Sequence, residues 1–243
     1  MLADDHRSRA HPTAGVVAAF ALAGPVVAYT LPGLAAALPA LRRPLGIEDR
    51  TRDGRGYALT FDDGPHARGT PAVLALLAQT QAPATFFLVG EQVQRDPALA
   101  REIVAAGHAV GLHCQRHRNL LRLTPWQVRE DIDRAQAAIE DATGLSPLLY
   151  RPPYGVLNAA ALGTARVRGW RTVLWSHWGR DWEQRATPAS IAARVTAGAG
   201  DGAVLLLHDA DDYSASGSWQ RTVAALPRVL ATLAERDVRP VAL

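Results

Sequence analysis

The sequence of 243 residues contains no lysine and only one cysteine, Cys114. A single cysteine excludes an intrachain disulfide framework and leaves the cellular compartment open. Arginine supplies every basic side chain, which gives a pI of about 9.5 although the net charge is only +3. The arginines are scattered, and no basic run is interleaved with aromatic residues. This distribution argues against nucleic acid as a partner.

Charged residues are also absent between Pro12 and Leu41. A run of that length could span a bilayer, which requires about 20 apolar residues. Pro25, Pro32 and Pro39 count against one straight spanning helix. Three interpretations stay open: a membrane anchor, a cleaved secretory leader, or an apolar extension that packs on the following domain.

From Tyr57 onward, short apolar or β-branched runs alternate with helix-like segments, and no sequence repeat or low-complexity linker interrupts them. Strands are predicted at residues 57–61, 84–89, 109–112, 148–151, 171–176, 203–207 and 239–243. Helices are predicted at residues 70–78, 97–106, 124–143, 158–168, 187–197 and 220–235. Such alternation predicts βαβ units and a parallel sheet. We therefore expect an α/β fold, a (βα) barrel lacking its last units, over residues 52–243, after an N-terminal extension over residues 1–51.

Two adjacent carboxylates, Asp62 and Asp63, end the first predicted strand, and Gly64 and Pro65 stop it. Neighbouring carboxylates repel each other unless a bound cation separates their roles. One acid would then bind the metal while the other remains free as a base. The alternative is an ordinary turn with two solvated acids.

Two histidines, His113 and His117, follow the third predicted strand at a spacing of four. One helical turn would place both on one face, where imidazoles suit a cation such as zinc. Together with Asp63 they would form a three-ligand site with open positions, as catalytic metal sites require. Alternatively, they are a pair of surface histidines.

Three more signals follow predicted strands. Arg151 precedes two prolines and could hold a carboxylate through two parallel hydrogen bonds, unless this is a plain proline-rich loop. Three tryptophans within residues 175–182 could line a groove for sugar rings. His208 ends an apolar run, although a lone histidine there is more often structural. All five signals fall at the C-terminal ends of parallel strands, the active-site face of barrel enzymes, and together they indicate metal-assisted hydrolysis.

The order and spacing of these motifs resemble those of polysaccharide deacetylases of carbohydrate esterase family 4. The motifs are TFDDGP, HCQRH, RPPYG, WSHWGRDW and VLLLHD, and the resemblance covers residues 57–243. It implies a distorted TIM-like barrel of seven parallel strands. It also implies a metal-dependent hydrolase of a carbon–nitrogen bond, which removes the N-acetyl group from an amino sugar in a saccharide and releases acetate. The implied cofactor is one divalent ion, zinc in the first place, with cobalt or another ion as alternatives.

The resemblance also implies a role for each matching residue. The metal ligands correspond to Asp63, His113 and His117. The general base corresponds to Asp62, the arginine that orients it to Arg151, the general acid to His208, and the carboxylate that holds this acid to Asp181. The residue whose backbone N–H stabilises the oxyanion corresponds to Tyr154, and the apolar wall around the acetyl methyl to Trp182 and Leu206.

Two positions depart from the family pattern. Cys114 follows the first metal histidine, where many members have a serine or threonine whose hydroxyl braces the loop. Trp178 stands three residues before Asp181, where many members have an aspartate. The first departure could loosen the metal loop, and the second leaves the sugar-binding groove open.

Two other function hypotheses remain beside deacetylation of a saccharide. An amidohydrolase acting on a lipid-linked sugar or a small non-peptide amide is favoured by the apolar N-terminus. A non-catalytic saccharide-binding protein is disfavoured because the metal, base and acid residues are all present.

We expect a cell-envelope protein, membrane-anchored or secreted, and the apolar run over residues 12–41 offers association with a membrane. The charges around that run conflict with this location. Asp4 and Asp5 make a poor secretory leader, and Arg42 and Arg43 favour the cytoplasmic side for the domain that follows. An envelope polysaccharide would require the opposite side.

Overall fold

A computed structural model of the protein describes residues 24–243. Residues 12–23 of the apolar run lie outside this range, so their interpretation as anchor, leader or packed extension stays a prediction.

Eight strands in the described range form one sheet, and every neighbouring pair is parallel. In chain order they are β1 (Ile47–Glu48), β2 (Tyr57–Asp62), β3 (Ala84–Val89), β4 (Ala109–Cys114), β5 (Leu149–Tyr150), β6 (Arg171–Val173), β7 (His177–Trp178) and β8 (Ala203–His208). Their order across the sheet is β1-β6-β5-β4-β3-β2-β8-β7. An antiparallel bridge between Arg50 and Ala203 joins the chain after β1 to the start of β8. The sheet therefore curls into an incomplete barrel.

Helices supply the crossovers that parallel neighbours require. They are α1 (Gly69–Thr80), α2 (Gly90–Arg95), α3 (Pro97–Ala105), α4 (Pro125–Thr143), α5 (Ala159–Val167), α6 (Pro188–Thr196) and α7 (Ser218–Ala234). The start of α4 shows why such segments are helical. Thr124 and Gln127 form a reciprocal capping box, and Gly144 ends the helix with a φ of 72°.

The predicted α/β class with a parallel sheet is confirmed, and the strand count is eight rather than seven. Residues 239–243 form only a single bridge, between Tyr57 and Pro240, because β2 is paired with β3 and β8 on its two sides from Leu59 onward. The strands β1 and β7, of two residues each, are too short to show a period in the sequence. The six-residue helix α2 escaped prediction for the same reason.

Alternation along the strands sorts side chains into two cores. On β2, Tyr57, Leu59 and Phe61 belong to the large core under the helices, whereas Ala58 belongs to a small inner cluster. The other buried members of this inner cluster are Phe87, Leu149, Val173 and Val204. Because side chains alternate, Asp62 lies on the inner face with Ala58.

Residues 24–41 pack on the loops that follow β4 and β5. The Tyr29 hydroxyl donates to the carbonyl oxygen of Leu123 at 2.7 Å and accepts from Asn158 Nδ2 at 2.8 Å. Gly33 lies so close to these loops that a Cβ there would be 3.0 Å from the Leu157 oxygen. No helix within residues 24–243 combines the length and apolarity that crossing a membrane requires.

The inner core allows a test of the fold. A Cβ on Gly111 of β4 would lie 2.6 Å from Cδ1 of Phe87 and 3.1 Å from Cβ of Leu149. We expect Gly111→Ala to lower the free energy of unfolding by about 1–3 kcal/mol, as overpacking usually does. Gly163 in α5 is the matched control, because a Cβ there meets no atom within 4 Å. Gly163→Ala should leave the protein as stable or stabilise it by up to about 1 kcal/mol. Urea unfolding followed by circular dichroism measures both, and equal stabilities would contradict the packing.

Candidate active site

A pocket of about 220 Å³ opens at the C-terminal ends of the strands. Eight residues predicted from the sequence line it: Asp62, Asp63, His113, His117, Tyr154, Trp182, Leu206 and His208. The other two, Arg151 and Asp181, are fully buried and hydrogen-bonded to Asp62 and His208. The structure therefore brings all ten predicted site residues together.

Three of these residues converge in a way that suits a metal ion. Asp63 Oδ1 lies 3.5 Å from Nε2 of His113 and 3.4 Å from Nε2 of His117. This buried oxygen has no hydrogen-bond partner among the described residues, although buried carboxylate oxygens are normally satisfied. A divalent cation bound by these three residues would satisfy it, so the donor set fits such an ion.

The tautomer of His113 supports the same conclusion. Its Nδ1 lies 2.7 Å from the backbone oxygen of Arg151. A carbonyl oxygen can only accept, so Nδ1 carries the proton and Nε2 keeps a lone pair toward Asp63. A backbone acceptor that fixes the tautomer in this way is common behind metal-binding histidines.

Burial and charge set the protonation of His117 and Asp63. Burial lowers the pKa of His117 to about 4, although Asp63 opposes the shift, and the ring is therefore neutral at ordinary pH. Burial alone would raise the pKa of Asp63. The neighbouring imidazoles of His113, His208 and His117 outweigh burial and lower the pKa of Asp63 to about 2. Both groups therefore hold the forms that bind metal.

Asp62 is paired with a guanidinium buried inside the barrel. Arg151 Nη1 donates to Asp62 Oδ1 at 2.7 Å and to Thr60 Oγ1 at 2.8 Å. Its Nε and Nη2 donate to the carbonyl oxygens of Val173 and Leu174. The two parallel hydrogen bonds expected from the sequence are therefore not formed. Only one nitrogen contacts the carboxylate, because Nε and Nη2 donate to carbonyl oxygens at the end of β6.

His208 is held by a buried carboxylate on the other side of the pocket. Its Nδ1 lies 2.9 Å from Asp181 Oδ1, and its backbone N–H donates to Asp181 Oδ2 at 2.7 Å. The Thr222 hydroxyl donates to the same Oδ2 at 2.7 Å. With Nδ1 occupied, Nε2 faces the pocket at 3.9 Å from Asp63 Oδ2.

Strand register explains why Asp62 and His208 face each other. They are paired residues at the ends of the parallel neighbours β2 and β8. Paired residues of parallel strands point to the same face, so both side chains enter the pocket. The site thus has a carboxylate paired with a cation and an imidazole paired with an anion.

Aromatic rings close the pocket. Tyr154 has a φ of 59° and packs edge-on against His117, with ring centroids 4.5 Å apart. Trp182 packs edge-on against His208 at 5.4 Å. Tyr213 stacks on the opposite side of His117 at 4.7 Å. These rings restrict the orientation of both histidines and make much of the pocket wall apolar.

Asp131, which braces the loop between His113 and His117, was not predicted from the sequence. Asp131 on α4 is buried and accepts hydrogen bonds from the backbone N–H of Gln115 at 2.7 Å and from Arg118 Nη2 at 2.7 Å. It therefore braces the segment next to Cys114, whose buried thiol has a raised pKa. A carboxylate among the apolar residues of an amphipathic helix is the signal that could have identified Asp131.

Thr60, Thr222 and Tyr213 were also missed. Their roles depend on contacts distant in sequence: Thr60 with Arg151, Thr222 with Asp181, and Tyr213 with His117. No local pattern indicates such pairs.

Comparisons with known proteins identify the family. Residues 49–173 match the family described as polysaccharide deacetylase. The chain belongs to this family. A peptidoglycan-N-acetylglucosamine deacetylase of Bacillus cereus is 39% identical over 184 residues, which cover 75% of this chain and 83% of the relative. A chitooligosaccharide deacetylase of Bradyrhizobium is 37% identical over 204 residues, which cover 81% of this chain and 91% of the relative.

Solved structures of the polysaccharide deacetylase family agree with the fold. A peptidoglycan N-acetylglucosamine deacetylase, bound to 4-naphthalen-1-yl-N-oxidanyl-benzamide, superposes with a TM-score of 0.76 at 29% identity. The superposition covers 83% of this chain and 92% of that structure. The predicted family, fold class and enzyme class are therefore confirmed. Family members are metal-dependent, and the identity of the ion in this protein remains a prediction.

The His208–Asp181 pair gives a prediction about pH. Burial alone would lower the pKa of His208, but the negative charges of Asp181, Asp63 and Asp62 outweigh it and raise the pKa to about 10. A bound cation would offset the contribution of Asp63, so the pKa lies lower in the metal-loaded protein. If the imidazolium is the general acid, activity must fall as pH rises through this pKa.

We expect Asp181→Asn to move the alkaline limb of the pH profile down by about 1–3 pH units, because the main attracting charge is gone. Profiles of kcat/KM for acetate release measure the shift. Thr222→Val is the control, since it removes one hydrogen bond to Asp181 and keeps the carboxylate. A limb that stays in place in Asp181→Asn would contradict the pairing.

Proposed function

We propose that the protein is a metal-dependent deacetylase that hydrolyses the N-acetyl group of an amino sugar in a saccharide and releases acetate. One observation carries the proposal: Asp62 and His208 enter one pocket from neighbouring strands, beside a three-ligand metal site. Hydrolysis of an amide needs a base for the attacking water and an acid for the departing amine, and the two are present in separate electrostatic environments. The names of the relatives from Bacillus cereus and Bradyrhizobium support an amino-sugar substrate.

We assign the metal to Asp63, His113 and His117. Zinc is the first candidate, and cobalt or another divalent ion is the alternative, since two imidazoles and one carboxylate do not select sharply. When bound, such an ion supplies Lewis-acid chemistry that polarises a carbonyl and lowers the pKa of water.

Asp62 is proposed as the general base. Arg151 occupies its Oδ1, so Oδ2 is the oxygen that takes a proton from the attacking water. The guanidinium is fixed by three further acceptors, and it therefore fixes the direction of the carboxylate. Attack at the acetyl carbon then forms a tetrahedral oxyanion. We assign the stabilisation of this oxyanion to the backbone N–H of Tyr154.

His208 is proposed as the general acid. Its Nε2 gives a proton to the amine nitrogen as the carbon–nitrogen bond breaks, and Asp181 stabilises the imidazolium before transfer. Trp182 and Leu206 line the pocket and would contact the acetyl methyl.

We place the catalytic domain at residues 52–243 and the extension at residues 1–51. Relatives named for peptidoglycan support a location at the cell envelope, and the uncharged run over residues 12–41 supports association with a membrane there.

Acetate release from chitooligosaccharides, peptidoglycan and acetylated xylan tests the function. Each substrate is assayed after chelation and again after zinc or cobalt is restored. We expect release that depends on metal from at least one amino-sugar substrate. No release from any of them, with metal shown to be bound, would overturn the proposal and favour a lipid-linked sugar or a small amide.

The base is tested by Asp62→Asn. Turnover should fall by about 10²–10⁴-fold, the usual contribution of general base catalysis, while zinc binding measured by calorimetry is retained. Asp212→Asn is the control, because this carboxylate lies near the pocket without lining it. Since Asp62 pairs with the buried Arg151, the unfolding temperature of each variant is measured as well. Full activity of a folded Asp62→Asn protein would contradict the assignment.

A further inference from the structure

Part of the extension exposes large apolar side chains beside the active site. Val26, Val27, Leu31 and Leu34 are 63%, 57%, 47% and 48% exposed. Their segment is fixed to the loops after β4 and β5 through Tyr29. These loops leave the C-terminal ends of the strands, which is the side on which the pocket opens.

Four side chains of the barrel continue this surface. Leu121, Trp126, Tyr154 and Trp178 are 38%, 69%, 58% and 45% exposed. Leu121, Trp126 and Tyr154 follow the C-terminal ends of β4 and β5, Trp178 is the last residue of β7, and Tyr154 and Trp178 line the pocket itself. We call these four, with the four residues of the extension, the apolar rim.

Contacts make the rim continuous from the extension to the pocket. Gly33 abuts Leu121 and Val156, since a Cβ there would lie 3.3 Å and 3.5 Å from their side chains. Gly155 lies against Trp175, as a Cβ there would be 2.8 Å from the indole. Trp175 in turn packs on Trp178, with ring centroids 5.8 Å apart.

The rim surrounds only one half of the mouth. The other half consists of the loops after β2 and β8 and of helix α2 after β3, and it carries His66, Arg68, Arg95, Asp211 and Asp212. None of the exposed large hydrophobic side chains among the described residues lies in that half. The mouth therefore has an apolar side and a polar side.

Several features identify what contacts the apolar side. Upstream of the rim, residues 12–23 are uncharged and include Val16, Val17, Phe20 and Leu22. In the loop over residues 115–124, Arg118 is paired with Asp131, but Arg116 and Arg122 form no ion pair within residues 24–243, and they favour anionic headgroups. Tryptophan and tyrosine are enriched where lipid meets water, because each has an apolar body and a polar edge.

We propose that the apolar rim binds the surface of a lipid bilayer and holds the polar half of the mouth open to water. The protein then works on a saccharide presented at a membrane surface. Binding to lipid does not depend on the proposed deacetylase activity, so the two proposals can fail separately.

Sedimentation of the full-length protein with vesicles tests the rim. The vesicles contain phosphatidylethanolamine and phosphatidylglycerol, and a second set contains phosphatidylcholine alone. The rim variant is Leu34→Ser with Trp126→Ser. The control is Leu148→Ser with Val167→Ser, whose side chains are 65% and 90% exposed at the opposite end of the barrel.

We expect the wild-type protein and the control to bind anionic vesicles alike, and the rim variant to bind about tenfold more weakly, because apolar contact area is lost. Leu31→Ser with Leu121→Ser is a second rim variant that decides the matter if the first is unfolded by circular dichroism. No vesicle binding by the wild type would overturn the proposal. Binding by the rim variants equal to wild type would assign the contact to residues outside the rim and overturn it as well. A dimer in solution that the rim variants disrupt would instead identify a second copy as the partner.

Discussion

The buried guanidinium of Arg151 is the group on which the site depends. It is fully buried, and the carboxylate of Asp62 is its only anionic hydrogen-bond partner among the described residues. A buried charge without its partner costs several kcal/mol, so neither residue can be lost without strain on the barrel. The backbone oxygen of Arg151 also fixes the tautomer of His113. One residue thus links the proposed general base, a proposed metal ligand and the ends of β2, β4 and β6.

The same barrel creates an opposite electrostatic environment on the neighbouring strand. Asp62 faces a cation, whereas His208 faces the carboxylate of Asp181, and register pairs the two at the ends of β2 and β8. Parallel pairing determines which residues meet, and the buried partners determine which form each side chain holds. The proposed acid and base can therefore coexist in one pocket, because each is paired with a buried group of opposite charge that does not line the pocket.

Sequence reasoning recovered what depends on local pattern. Strand ends carry Asp62, Asp63, His113, His117, Arg151 and His208, so a parallel sheet alone predicts that they meet. It failed where a contact joins residues distant in sequence, or where an element is too short to show a period. Arg151 makes a single hydrogen bond to Asp62 because its guanidinium also donates to Thr60 and to the carbonyl oxygens of Val173 and Leu174. The bracing by Asp131 depends on how α4 packs beside β4. Strand β7 has only two residues, which are too few to show a period.

The two departures from the family pattern have different consequences. At Cys114, where many members have a hydroxyl, the loop is braced by Asp131, whose carboxylate accepts from the backbone N–H of the next residue, Gln115. At Trp178 nothing restores a carboxylate, and the indole instead joins Trp175 and Trp182 in one row of rings that reaches from the surface to His208. The first departure leaves the loop of His113 and His117 braced, whereas the second alters what the mouth can contact. Because Trp178 belongs to both the pocket wall and the apolar rim, it links the choice of substrate to the surface on which the protein works.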